Sequence, residues 1–150
     1  MKLPNLYILA CLLMVFTVAC DKDTKTDPQE TDKGKVLVTN PWRLVGVTDA
    51  SGKAIPQNQL NIETQAIYLF DIQFFDNNVT KALDRTSKQV VNGGTWYLIE
   101  NNEILDVEVS QFKGKFPIKE LSRSKMTLSN TVPVNGVNQE ARLVFEPVIK

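Results

Sequence analysis

The chain has 150 residues, 43% of them hydrophobic and 23% charged, with 17 basic side chains against 17 acidic and no histidine. That length and mix suit one globular domain around a single core. The charge is balanced and no basic patch large enough for a nucleic-acid footprint stands out, and the missing histidine removes the commonest metal ligand and general base.

Lys2 precedes an apolar run from Leu6 to Ala19, and Asp21-Lys22-Asp23 follow it. A positive start, an apolar core of about 14 residues and a small residue before the break predict a secretory signal over residues 1–19. A bilayer-spanning helix needs roughly 20 apolar residues, more than this run offers. Cys20, at the cut, resembles the bacterial lipobox, in which the thiol is lipidated and becomes the new N-terminus. Thr17 stands where a lipobox usually carries Leu. The competing reading is plain cleavage after Ala19, leaving Cys20 a free thiol. Cys11 lies inside the signal core and would leave with it, so no intrachain disulfide is expected. Asp21 to Lys35 contain no aliphatic or aromatic residue. Residues 20–35 therefore read as a lipidated cysteine on a disordered tether, spanning on the order of 20 Å as a coil.

From Val36 the pattern turns to short apolar runs broken by turn residues, and residues 36–150 read as the folded domain. Trp42 to Val47 form the first run. Gln57 to Gln65 accommodate a short helical turn, the one departure from strand patterning. Tyr68, Phe70, Ile72 and Phe74 share one parity against Asp71 and Gln73, which is period-two alternation. Val79 to Leu83 follow the turn at Asp76-Asn77-Asn78. Trp96 and Leu98 alternate with Tyr97 and Ile99. Leu105, Val107 and Val109 do so with Asp106 and Glu108, and Asn101-Asn102 between the two runs marks a tight hairpin. Further runs cover Phe112 to Leu121, Met126 to Thr131 and Ala141 to Ile149, with Pro133 to Gly136 as the turn before the last. About eight such strands predict an all-β meander closed as an up-and-down antiparallel barrel, with a β-sandwich as the alternative.

These residues resemble a family. Asn40-Pro41-Trp42-Arg43-Leu44-Val45-Gly46-Val47 is similar to the opening strand of the lipocalin-like domains of small Gram-negative lipoproteins. An aromatic pair before a turn (Phe74-Phe75-Asp76-Asn77-Asn78) and Gly94-Thr95-Trp96-Tyr97-Leu98 follow in the family's order. So do Phe116-Pro117-Ile118-Lys119-Glu120-Leu121-Ser122 with Lys125-Met126-Thr127-Leu128, and the closing Ala141-Arg142-Leu143-Val144-Phe145. Transport lipocalins open on Gly-x-Trp, and Asn40 replaces that Gly here. The resemblance implies an eight-stranded calycin-type barrel at the cell envelope, anchored by lipid to a membrane, the outer one on family grounds, although Asp21 after the cysteine is an inner-membrane retention signal in some bacteria. It also implies that Arg142 packs across Trp42, a cation–π contact worth roughly 0.5–2 kcal/mol.

The inward set expected from parity is Trp42, Leu44, Phe70, Ile72, Phe74, Trp96, Leu98, Leu105, Val107, Phe116, Ile118, Met126, Leu128, Leu143 and Phe145. A barrel of this size either fills its interior or holds one small ligand. In the second case Trp42, Phe70, Phe74, Trp96, Leu98, Leu105, Val107, Phe116, Met126 and Phe145 are the expected contacts of a small apolar or amphipathic molecule. Asp106 and Glu108 share a strand face, the kind of carboxylate pair a glycosidase uses, but opposite the apolar face they read as solvated. Ser87, Ser110, Ser122, Ser124 and Ser129 have no histidine to activate them. Asp71, Asp76 and Asp84 lack calcium-loop spacing, and Asn78-Val79-Thr80 fits a glycosylation acceptor pattern that is common by chance. No catalysis and no cofactor are expected. The competing function is an envelope interaction module that docks a protein or glycan through loops or an outer face bearing Tyr97 and Phe75.

Overall fold

Every run from Trp42 onward carries one apolar face, and a single sheet of such strands hides that face best by curling until its edges meet. The structure, a computed structural model, describes residues 31–109 and 112–149. The apolar run 6–19, Cys20 and the tether to residue 30 lie outside the described residues. In chain order the elements are α1 (Asp32–Thr39), β1 (Trp42–Asp49), a 3₁₀ turn (Gln57–Gln59), α2 (Ile62–Ile67), β2 (Phe70–Phe74), β3 (Val79–Asp84), β4 (Val90–Ile99), β5 (Ile104–Val109), β6 (Phe112–Leu121), β7 (Met126–Val134) and β8 (Val137–Pro147). Each strand is antiparallel to the next and β8 returns to pair with β1, so the sheet is a closed up-and-down barrel and not a sandwich.

The hairpins follow from residue chemistry. Asn101 and Asn102 take φ of 55° and 66° between β4 and β5, and Asn135 and Gly136 take 49° and 80° between β7 and β8. Asn and Gly enter that left-handed region most readily, and tight hairpins demand it. Pro133, expected in the last turn, instead stays in β7 opposite Asn138. At Gly94, β4 runs so close to β5 that a Cβ would collide with the Glu108 carbonyl oxygen.

The boundary expected between Lys35 and Val36 falls inside α1, which corrects the tether's length. Thr31 caps this helix by accepting from the Gly34 N–H at 2.9 Å. Its sequence, with a glycine and two valines, has little helical signature, and tertiary contacts hold it instead. Leu37 is fully buried, and its carbonyl accepts from Trp42 Nε1 at 2.9 Å. Lys33 Nζ donates to Glu103 Oε1 at 2.6 Å and to the Asn102 carbonyl at 3.1 Å, tying α1 to the β4–β5 turn. So α1 closes the barrel end at which β1 begins. Phe74 and Trp96 pack there edge to face with centroids 5.4 Å apart.

Closure is most delicate between β1 and β2, which meet in register at Trp42↔Ile72 and Arg43↔Asp71. Beyond that point Asp71 and its partners replace the ladder. The Asp71 carboxylate is 3% exposed on the outer face. Arg43 Nε and Nη2 donate to its two oxygens at 2.8 and 3.0 Å, and Lys88 Nζ donates to Oδ2 at 3.0 Å. Arg85, 3.7 Å from the same carboxylate, donates to the backbone carbonyl of Leu44 at 2.8 Å and of Phe70 at 3.3 Å, so it links β1 to β2 directly. Burial pushes the Asp71 carboxyl up, but the hydrogen bonds from Arg43 and Lys88 outweigh it and hold the group below the usual carboxylate range.

Arg142 does not reach Trp42. It stands opposite Thr48 and Ser129, whereas Trp42 stands opposite Pro147. Six residues of strand separate the two positions along β1, roughly 20 Å. The Trp42 ring is covered from the α1 side instead.

Asp71→Asn removes the charge that three cations face, and should lower the unfolding free energy by about 3 kcal/mol, read from the urea midpoint. The folded group titrates below its unfolded value near 3.9. Its contribution is therefore present above about pH 4 and is lost as pH falls through the folded value, so the variant's stability declines less steeply there than the wild type's.

Candidate ligand cavity

Alternation aims one row of each strand inward, and side-chain size along those rows decides whether the interior fills. At the closed end the rows carry Trp42, Phe74, Trp96 and Leu98, all buried and in contact as one core. Higher up, β3 presents Thr80 and Ala82, opposite Gly94 and Asn92 of β4. These small residues leave a cavity of about 560 Å³. Such a volume lies inside the roughly 300–1,000 Å³ typical of small-molecule pockets.

The wall is Phe70, Ile72 and Phe74 from β2, Thr80 and Ala82 from β3, Leu105, Val107 and Val109 from β5, with Phe116, Met126, Leu128 and Phe145 from β6 to β8. The mouth lies between Ile62, Glu63, Ala66 and Ile67 of α2 on one side and Val91 and Asn92 on the other. Ile62 is 80% exposed and Val91 52%, so the rim itself is apolar. Asn61 caps α2 by accepting from the Thr64 N–H at 3.3 Å. Thr64 and Ile67 are buried beneath it. Leu60 bridges to Val134, and the Asn135 N–H donates to the Gln59 carbonyl at 2.8 Å, fastening the segment to the β7–β8 hairpin. On the far flank of α2 a second space of about 180 Å³ is lined by Lys113, Asn130 and Thr131, and shares Glu63, Ile67 and Phe116 with the first.

Of the ten residues expected from sequence to face a ligand, Phe70, Phe74, Leu105, Val107, Phe116, Met126 and Phe145 line the cavity. Trp42, Trp96 and Leu98 do not. Both indoles point inward but sit below the floor, with Trp42 Nε1 on the Leu37 carbonyl and Trp96 Nε1 on the Phe75 carbonyl, each at 2.9 Å. Parity tells which way a side chain faces, not how high in the barrel it lies. Sequence reasoning missed Thr80 and Ala82, whose alternation with Val79, Lys81 and Leu83 was the available signal. It also missed Ile62 and Ala66, one helical turn apart in the segment whose pattern accommodates a short helical turn.

Asp106 and Glu108 stand on β5 opposite Lys115 and Lys113 of β6, in the row that alternates with the cavity-lining Leu105 and Val107. Tyr97 is half-buried, and Phe75, also half-buried, has Lys81 Nζ 5.1 Å from its ring centroid. Neither is among the exposed large apolar side chains, which are Val45, Ile62, Leu69, Val90, Val91, Val137 and Ile149. Among the described residues no cluster of His, Cys, Asp or Glu is placed to hold a metal. Compared with protein-family models and with curated proteins, the sequence matches none.

Trp42→Phe keeps a ring in the closed end but leaves the Leu37 carbonyl without its donor. It should lower stability by about 1–3 kcal/mol. Amide exchange should speed up in α1 while the β5 and β7 amides beside the cavity keep their protection. Faster exchange across all strands alike would show that α1 is not held through this bond.

Proposed function

We propose that this protein is a lipocalin-like carrier that holds one small apolar or amphipathic molecule inside its barrel. The observation that carries this reading is the apolar cavity of about 560 Å³, walled by β2, β3 and β5 to β8 and open beside α2. Each methylene moved from water into such a wall is worth about 0.8 kcal/mol, or roughly fourfold in affinity. An amphipathic molecule would lay its chain along Leu105, Val107 and Met126 and keep its polar end at the mouth, beside Glu63 and Asn92.

The same proposal includes an envelope address. The signal-like run, Cys20 and its likeness to a lipobox support export and lipid anchoring at the outer membrane. The described chain starts at Thr31, at the closed end. A lipid on Cys20 would therefore tether the barrel by the end opposite its mouth, leaving the entrance clear for cargo.

Titrating octanol, decanol and dodecanol by calorimetry tests the carrier reading. Affinity should rise about fourfold per added methylene until the cavity is full, with a negative heat-capacity change. Ala82→Phe, which projects a ring into the space, should weaken decanol binding at least tenfold without loss of the folded state. A flat series, or an Ala82→Phe variant that binds as before, would refute it.

A further inference from the structure

We infer that the cavity accepts amphipathic molecules with a neutral or cationic head group and discriminates against carboxylates; this rests on the carrier reading above. Among the described residues Glu63 is the one charged side chain in the wall, and it stands at the mouth where a head group would come to rest. It is exposed, and its Oε2 accepts from Asn61 Nδ2 at 2.5 Å. No lysine or arginine of the described chain lines this space. Arg43, Arg85 and Lys88 are gathered at Asp71 on the outer face, and Lys113 borders the smaller space across α2.

The side-chain donors of the wall are neutral, namely the Thr80 hydroxyl and the Asn92 amide. Thr80, the most deeply buried polar side chain of the wall, gives its hydroxyl proton to the Gln73 carbonyl at 3.2 Å. Asn92 accepts from the Gly93 N–H at 2.8 Å through its Oδ1. A carboxylate entering tail-first would thus keep its charge beside Glu63 with no cation of the cavity wall to offset it. Like charges about 5 Å apart in water-like surroundings, as at the exposed Glu63, cost on the order of 1 kcal/mol, close to fivefold in affinity. An ammonium gains by the same interaction, and an alcohol is indifferent to it.

The test uses probes of one chain length, decylammonium, decanol and decanoate, at pH 8 and low salt with the folded barrel. Decanoate should bind about fivefold more weakly than decanol, and decylammonium at least as tightly as decanol. The spread should shrink in high salt, because exposed charges are screened. Glu63→Gln, which retains an oxygen for Asn61, should bring the three affinities together. Lys113→Gln should alter none of them. Decanoate binding as tightly as decanol in the wild type would overturn the inference and leave the carrier reading standing. Tight decanoate binding lost in Lys113→Gln would overturn it too, and would move the head group to the smaller space. If none of the three binds, the carrier reading fails and this inference fails with it.

Discussion

The ladder between β1 and β2 stops at Arg43↔Asp71, and a single buried carboxylate keeps the barrel shut beyond it. Closing a sheet requires every strand to find two neighbours, and β2 is too short to accompany β1 to the open end. Asp71 answers this by gathering Arg43, Arg85 and Lys88, while Arg85 reaches the Leu44 carbonyl across the gap. The segment after β1 folds back over the rest. Ile55 N–H donates to the Val47 carbonyl at 2.8 Å, and Asp49 N–H to the Lys53 carbonyl at 2.9 Å. A buried carboxylate with one partner would be a poor fastening, since desolvation opposes the attraction. With three cations and a bidentate arginine fork the carboxylate stays ionised and directional. The same shortness of β2 lets α2 settle across the mouth, so the weak seam and the entrance have one origin.

Within that frame, the sizes of inward side chains divide the interior. Two indoles and Phe74 fill the closed end, and each indole N–H has a carbonyl partner. Thr80 and Ala82 stand where a barrel filled to the top would need large residues, and the space they leave is the cavity. Close packing makes such a volume rare, and here two small residues of β3 stand in a wall that is otherwise mostly large and apolar. The polar groups at its rim are few, which is why one carboxylate at the mouth can govern which head groups are tolerated.

Much of this architecture was legible in the sequence. Period-two alternation, Asn101-Asn102 and Asn135-Gly136 mark the strands and hairpins through local chemistry alone. A closed barrel follows because short one-faced strands with hairpin connections have few other ways to hide their edges. Three features escaped for one shared reason: each depends on partners distant along the chain. α1 is short, with a glycine and two valines, and becomes a helix through Leu37, Trp42 and Glu103. Asp71 alternates with apolar residues like any solvated side chain, yet Arg43, Arg85 and Lys88 bury it. Arg142 has the right neighbours in sequence for a contact with Trp42, but register sets it six residues away. Seven of the ten expected cavity residues line the space because their parity and their height agree, whereas the two tryptophans and Leu98 satisfy parity only.

The claim on which the account turns is that the space beneath α2 receives the ligand. A methyl-resolved NMR titration of the protein with decanol measures this directly. The account predicts saturable shifts at Leu105, Val107, Met126 and Leu128, with Leu37 beneath the floor unmoved. Shifts confined to Ile62, Val91 and Val137 at the exposed rim, or to Val45 on the outer face, would place the apolar contact outside the barrel and contradict it.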